Sequence, residues 1–345
     1  MVIIVVAVAV AILVVPQFRE TAWGLMHNES RGATELIGEL QSPDEGTRME
    51  AAKDLGNLGA SDPRAIPALV KALSDDKDGR VRVRAGLALT KLHVDDESMA
   101  GPLGKALNDS VQWVRMDAVL VLHRMGHGAK GAVPALVRAL DDKANRQVME
   151  PIPKSVFDLA IETLGQIGPD AQEALPALSK ITTEKNIVDR VNAAESIWRI
   201  NKDLKSTMPV FLEGLKDENF TACDEALEAL GLVGPDGKEA VPLLIKILAD
   251  KERTAQSRGL AAKALGNMGA NAKAAVPALV VGLDDRDHDL QDHCVVALGC
   301  IGPEAKSATP KLARMAKEGN ARVIKASKEA LAKIDPQAAG QAGSN

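Results

Sequence analysis

The chain has 345 residues, of which 46% are hydrophobic but only 2% are aromatic, with no Tyr, and its formal net charge is -5. The hydrophobic fraction is ample for a continuous core of Ala, Leu, Val and Ile, while the scarcity of aromatic side chains argues against an aromatic-rich binding site. The negative charge argues against nucleic acid as a general partner.

The N-terminal segment, Met1 to Val15, is an uninterrupted apolar run that ends at Pro16. Its length fits the hydrophobic region of a signal peptide better than a full membrane span. We therefore expect residues 1–16 to be a signal peptide or membrane anchor, residues 17–30 to be a linker, and the rest of the chain to lie outside the cytoplasm. No basic residues precede the run and no clean cleavage site follows it, so a buried cap helix and a cytoplasmic location remain the alternatives.

A unit of two short helices recurs between residues 31 and 336. In the copy from Val276 to Gly302, Pro277 fits the first turn of a first helix, residues 284–287 form a polar turn, and a second helix ends at Gly302, where a positive φ is expected. The equivalent prolines are Pro67, Pro102, Pro134, Pro176, Pro209, Pro242, Pro277 and Pro310. This recurrence predicts stacked helical hairpins, because two helices this short cannot close a core alone.

The second helices share one apolar register. Its central aliphatic residues are Leu55, Leu89, Leu122, Leu164, Ile197, Leu230, Leu265, Leu298 and Leu331. Four residues earlier stand only small residues, which are Ala51, Ala85, Ala118, Ala160, Ala193, Ala226, Ala261, Cys294 and Ser327. A small residue kept at one position allows a neighbouring helix to approach closely, so we expect both sets to be buried.

The pattern of Val-Pro-Ala-Leu, Leu-x-Asp, Val-Arg-x-x-Ala and Ala-Leu-Gly-x-Ile-Gly resembles HEAT-like repeats, especially the short variety named from phycobilisome lyases. The resemblance implies an all-α fold, a right-handed α-solenoid of about nine helical hairpins, over residues 31–336. It also implies ion pairs between successive repeats. The matching positions are Asp75, Asp109, Asp142, Asp217, Asp250 and Asp285 with Arg48, Arg82, Arg115, Arg190 and Arg258. Other residues replace the Arg at Phe157, Cys223, Gln291 and Ile324, so the series is expected to be interrupted there.

Two segments depart from the repeat. Residues 143–153 are an insertion between the helices of repeat four, and Pro151 and Pro153 prevent it from being helical throughout. Such an insertion is either part of a binding face or a tolerated surface loop. The tail, residues 337–345, consists of small and polar residues and is predicted to be disordered.

Catalytic and metal-binding motifs are weak in this sequence. His123 and His127 are spaced for one helix face, but Gly126 interrupts the helix between them and no third ligand is evident. Cys223, Cys294 and Cys300 do not form an even disulfide framework. Phosphate-binding glycine loops, nucleophile motifs and the His-Glu dipeptides of hydroxylases that resemble this family are absent from the sequence. We therefore expect no catalytic residues, no metal and no cofactor.

Binding is predicted on the face of the second helices that the apolar stripe leaves uncovered, which lines the concave surface of HEAT-like solenoids. Its charges are basic in the early repeats and acidic in the middle ones. The candidate partner-binding residues are Glu162, Glu195, Trp198, Arg199, Glu225 and Glu228. The sequence thus predicts a non-catalytic protein-interaction scaffold with a basic protein or peptide partner, no nucleic acid, and membrane contact only through the N-terminal segment. The alternatives are an ordinary solvated face and a phycobilisome-lyase-like accessory enzyme or chromophore-binding module, and the oligomeric state is left open.

Overall fold

The computed structural model describes residues 31–318 and 321–342. The apolar run 1–16 and the linker 17–30 lie outside the described residues. Within the described ranges, no helix combines the length and apolarity needed to cross a bilayer.

The described residues form a regular alternation of helices, in which odd-numbered helices are the first and even-numbered helices the second of each hairpin. In chain order these are α1 Ala33–Glu39, α2 Glu45–Leu58, α3 Ala65–Asp75, α4 Gly79–Leu89, α5 Ala100–Ala106, α6 Gln112–Met125, α7 Val133–Asp141, α8 Val156–Ile167, α9 Leu175–Ile181, α10 Ile187–Asn201, α11 Leu204–Gly214, α12 Phe220–Val233, α13 Val241–Ala249, α14 Ala255–Asn267, α15 Val276–Gly282, α16 His288–Ile301, α17 Thr309–Glu318, α18 Ala321–Ile334 and α19 Pro336–Ala342. No β-strand occurs in these ranges. The prediction of an all-α fold of nine hairpins is confirmed.

The described residues divide into two compact units, one ending at Ala135 and the other beginning at Leu136, with the boundary inside α7. In the first unit each second helix packs on the next, α2 on α4 and α4 on α6. The second unit repeats this arrangement from α8 through α18. Each unit is therefore a stack of hairpins whose apolar stripes are covered by their neighbours, as a solenoid requires.

Most of the second helices end at glycines with positive φ, as the sequence predicts. Gly302 has φ 73°, and glycines at the same point of other hairpins, such as Gly168 and Gly234, also have positive φ. Asp and Asn side chains cap several starts, as Asp287 does by accepting from the Leu290 N–H. Pro209 differs from the other prolines because α11 begins at Leu204, where Asp203 caps it, so this proline lies inside the helix.

The two predicted registers form the core. All nine central aliphatic residues are at most 4% exposed, and all nine small residues four positions earlier are fully buried. The small residue faces the first helix of its own hairpin. A β-carbon placed on Gly282 of α15 would lie 2.5 Å from Sγ of Cys294, and one on Gly214 of α11 would lie 3.0 Å from Cβ of Ala226.

A second set of small residues, which the sequence reasoning did not identify, brings successive second helices together. The glycine that follows the central aliphatic residue packs on the small residue that precedes the next one. A β-carbon on Gly56 would lie 2.6 Å from Cβ of Ala88, and one on Gly266 would lie 2.8 Å from Cα of Ala297. Pairs at the same positions occur at Gly165 with Ser196 and at Gly299 with Ala330. The signal in the sequence is the Leu-Gly dipeptide, which recurs in several second helices.

The predicted ion-pair series is present with two corrections. Arg82 pairs with Asp109 at 2.5 Å and Arg258 pairs with Asp285 at 2.6 Å, each linking one hairpin to the next.

Arg48 pairs with Asp76 and not with Asp75, because Asp75 is the last helical residue of α3 and Asp76 is the first extended one. Arg190 pairs with Glu213 of α11, while Asp217 accepts from the Asn219 N–H.

The other predicted acids and Arg115 have local contacts. Arg115 donates to the Asp109 carbonyl at 2.8 Å. Asp142 accepts from the Ala144 N–H, and Asp250 lies 3.9 Å from Arg253 of its own hairpin. These acids therefore stabilise turns within a repeat in addition to any link between repeats.

The C-terminal tail differs from the prediction. Residues 336–342 form the short helix α19, where a disordered segment was expected. Asp335 accepts a hydrogen bond from the Ala338 N–H, and Ala339 packs against the apolar core of the second unit. Small residues thus permit docking on the last hairpin, which composition alone does not reveal.

Candidate functional site

The insertion of repeat four forms one wall of a cleft in the second unit. Residues 143–146 make a short 3-10 turn, and residues 149–152 make a tight turn in which the Ile152 N–H donates to the Met149 carbonyl at 2.7 Å. Ser155 then caps α8 in a reciprocal capping box with Asp158. The cleft has a volume of about 720 Å³. Its lining residues are Arg146, Val148, Pro153, Lys154, Ser155, Phe157, Asp158, Glu162, Asn186, Val188, Asp189, Asn192, Asn219, Thr221 and Glu225. We call it the acidic cleft, because four carboxylates and two cations line it.

Arg146 links the insertion to the next hairpin by ion pairs. Its guanidinium donates to Asp189 at 2.8 Å and to Glu184 at 2.8 Å, and it lies 3.6 Å from the ring centroid of Phe157. Phe157 is the residue that replaces Arg in the repeat pattern, and it is 1% exposed. Arg146 therefore restores, from the insertion, the link between repeats that the substitution removes.

Glutamates from three neighbouring second helices gather beside the insertion. Glu162 of α8 pairs with Lys154. Glu195 of α10 pairs with Arg199 at 2.7 Å. Glu225 and Glu228 of α12 form no ion pair with any described residue. The cluster thus holds more carboxylates than paired cations.

The electrostatics of the cluster follow from burial and like charge. Burial raises the pKa of Glu225 to about 7, an effect that Glu228, Glu162 and Glu195 increase and Lys154 opposes. Burial also raises the pKa of Glu195, although Arg199 acts against it. A cation entering the cleft would stabilise the ionised form of Glu225.

The structure brings together some of the predicted site residues and not others. Glu162 and Glu225 line the cleft, and Glu195 and Glu228 are close enough to shift the pKa of Glu225. Trp198 does not line the cleft. Its ring packs partly against the core and lies 3.7 Å from Lys202 Nζ, and its role in partner binding stays a prediction.

The sequence reasoning missed the polar rim of the cleft. Asn186, Asn192 and Asn219 place amide groups beside the carboxylates, and Val148 adds an apolar side chain that is 50% exposed. These residues come from two hairpins and the insertion. Their convergence is visible only once the register of each second helix is fixed.

Asp117 of α6 is a buried charge of the early repeats and does not lie on their open face. It is 2% exposed, its Oδ2 has no hydrogen-bond partner among the described residues, and burial raises its pKa to about 7. Gly86 on α4 leaves the room for it, since a β-carbon there would lie 2.5 Å from Asp117 Oδ2. The carboxylate is therefore packed between α4 and α6 and is not available to a partner.

Metal ligands and reactive thiols are the other groups that could support chemistry. Within residues 31–318 and 321–342, no three His, Cys, Asp or Glu side chains are grouped to hold a metal ion. Cys223 and Cys294 are buried, and burial raises the pKa of Cys294 to about 12, so its thiol stays protonated.

The stacked hairpins define the class as a helical-repeat protein. The family model described as HEAT repeats matches residues 19–90 and 71–151, and the model described as PBS lyase HEAT-like repeat matches residues 257–285. HEAT-like repeats are therefore recognised in residues 19–151 and 257–285 of this chain.

Three similar proteins illustrate this resemblance. A HEAT repeat-containing taxis protein of Halobacterium salinarum is 38% identical over 92 residues, which are 26% of this chain and 22% of that protein. An engineered protein is similar at a TM-score of 0.50, with 22% identity, over 90% of this chain and 92% of its own. Kap121p bound to Pho4p is similar at a TM-score of 0.52, with 15% identity, over 87% of this chain and 41% of its own. The structural likenesses show the fold alone.

Proposed function

We propose that this protein is a non-catalytic interaction scaffold whose acidic cleft binds a basic segment of a partner protein. The observation that carries the proposal is Glu225, a half-buried carboxylate without an ion pair among the described residues, held among Glu162, Glu195 and Glu228. A Lys or Arg side chain in the cleft would neutralise this cluster and replace water in a partly desolvated site, where charge pairs are stronger than on an open surface.

A labelled hexalysine peptide is the probe that tests this proposal. Fluorescence anisotropy should show binding to the wild-type protein that weakens steeply as ionic strength rises from about 0.05 M to about 0.5 M, because salt screens the attraction. A hexaglutamate peptide should not bind.

The decisive variant is Glu225→Lys with Glu228→Lys, which should weaken hexalysine binding by at least about a hundredfold, given that close charge pairs contribute more than about 1.5 kcal/mol each. The matched control is Glu239→Lys with Glu304→Lys, which changes the net charge equally at exposed positions in the turns after α12 and α16. Equal loss in both double variants would show a general charge effect and overturn the proposal.

A second candidate is a lyase-like accessory enzyme or chromophore-binding module. The match of residues 257–285 to the PBS lyase HEAT-like repeat favours it. Mixing the protein with biliverdin, an open-chain tetrapyrrole, tests it by the absorbance spectrum. A shifted and intensified long-wavelength band would support this candidate, and an unchanged spectrum would count against it.

The expected export is a separate proposal that rests on the apolar run 1–16 alone. Mass spectrometry of the protein recovered from fractionated native cells should find it outside the cytoplasm. Intact protein starting at Met1 in the cytoplasmic fraction would contradict this proposal without affecting the cleft.

A further inference from the structure

Asn192 of α10 carries a buried side-chain amide that has no partner in the fold. The residue is 9% exposed and lines the acidic cleft. Its side chain forms no hydrogen bond with any residue that the structure describes. A buried polar group without a partner costs free energy of folding, and asparagine is disfavoured in the interior of a helix. The stability of the stack therefore does not explain why an asparagine stands at this position.

The other two asparagines of the cleft have structural roles. Asn186 caps α10 by accepting from the Val188 N–H at 3.0 Å. Asn219 caps α12 by accepting from the Thr221 N–H at 2.9 Å. These bonds fix both amides at helix starts. The amide of Asn192, in contrast, has both its acceptor oxygen and its donor NH2 group available to a guest in the cleft.

Asn192 occupies the same position on α10 that Glu225 occupies on α12. Asn192 stands five residues before the central aliphatic Ile197, and Glu225 stands five residues before Leu230. Both side chains line the cleft. α10 packs on α12, and helices in contact lie about 8–10 Å apart. A guest backbone that passes Asn192 can therefore direct a basic side chain to Glu225.

The amide of Asn192 complements a peptide unit better than it complements an ammonium group. A peptide unit carries one N–H donor and one C=O acceptor, and an asparagine side chain offers an acceptor and a donor in return. An ammonium group only donates, so it leaves the NH2 group of Asn192 without an acceptor. The carboxylates of the cleft attract any cation, whereas Asn192 distinguishes cations that carry a peptide backbone from those that do not.

We propose that Asn192 recognises the backbone of the bound segment by pairing its amide with one peptide unit, while a basic side chain of the same segment reaches Glu225. This inference rests on the proposed function and specifies its partner. The guest is an extended basic peptide, because the N–H and C=O groups inside a helix are already bonded to one another. Polyamines and other small polycations lack the peptide unit and gain nothing from this contact.

Hexalysine and an analogue in which every peptide N–H is replaced by N–CH3 test the inference by calorimetry. The two peptides carry the same charge. The wild-type protein should bind hexalysine about tenfold more tightly than the methylated peptide, since one hydrogen bond in a partly desolvated site is lost. Asn192→Ala should weaken hexalysine binding by about tenfold and leave the two peptides with nearly equal affinities. Its thermal midpoint should not fall, because the amide has no partner in the fold to lose.

The matched control is Asn57→Ala, which makes the same substitution at an exposed position of α2 and should retain the affinity and the preference for hexalysine. Unchanged hexalysine binding by Asn192→Ala, a preference for hexalysine that persists in this variant, or a lowered thermal midpoint would overturn the inference. The proposed function would still stand in those cases if Glu225→Lys with Glu228→Lys abolished the binding. Both would fall if the wild-type protein bound neither peptide.

Discussion

Gly266 of α14 and Ala297 of α16 are in backbone contact, since a β-carbon on Gly266 would lie 2.8 Å from Cα of Ala297. Real β-carbons do not approach a backbone atom this closely, so the two helices must separate if Gly266 gains a side chain. The same relationship between a glycine and a small residue joins several successive hairpins. Close packing of second helices is thus specified by individual small residues.

Gly266→Ala should therefore destabilise the protein, although alanine favours helix formation. Overpacking costs roughly 1–3 kcal/mol, and the higher helix propensity of alanine offsets about 1 kcal/mol of this cost. The control is Gly38→Ala in α1, where nothing lies within 4 Å of the new methyl group and a small stabilisation is expected. Urea unfolding of both variants measures the difference, and equal stability would contradict the packing.

Arg82→Ala should cost roughly 1–3 kcal/mol, because it leaves the mostly buried carboxylate of Asp109 without its partner. Arg64→Ala is the control, since the Arg64 side chain is 58% exposed and its pair with Asp62 lies on the surface. Thermal unfolding should show a lowered midpoint for the first variant alone. Equal midpoints would show that the ion pairs between repeats do not stabilise the stack.

The buried carboxyl group of Asp117 should make the stability of the protein fall as pH rises. Its folded pKa of about 7 lies above its ordinary value of 3.8, so the folded state holds a proton that the unfolded state releases. Stability from this group is fully present below about pH 4 and is lost as pH rises through about 7.

Asp117→Asn should remove this dependence and raise the free energy of unfolding at pH 8 by roughly 1–3 kcal/mol. Denaturant unfolding of both proteins at pH 5 and pH 8 measures it. If the two curves shift in parallel between these values, the buried carboxylate does not titrate as proposed.

The repeat register was predictable from the sequence because burial imposes a period. Leu298 and its equivalents recur at one phase of every second helix, and each is buried. The ion pairs were less predictable, because Asp75 and Asp76 differ only in whether the helix has ended. One residue decides which carboxylate faces Arg48.

The candidate site was predictable only in part. Glu162 and Glu225 were identified from helix phase, since facing residues recur with the repeat. The burial of Asp117 depends on Gly86, a residue of another hairpin. Lys202, one turn further along, lies over the ring of Trp198. These two contacts do not follow the period of the repeat, and neither does the wall made by the insertion.

Proton release on binding follows from Glu225. Its pKa of about 7 must fall when a cation enters the cleft, so the affinity for a basic peptide should rise by about tenfold from pH 6 to pH 8. Protons should be released into the buffer near pH 7.

Calorimetric titration of the wild-type protein with hexalysine at pH 7, in two buffers of different ionisation enthalpy, tests the central claim most directly. The account predicts binding whose heat differs between the buffers in proportion to released protons. In the Glu225→Gln variant it predicts the loss of that proton release and binding weakened by about tenfold. Binding with identical heat in both buffers, or binding that Glu225→Gln leaves unchanged, would contradict it.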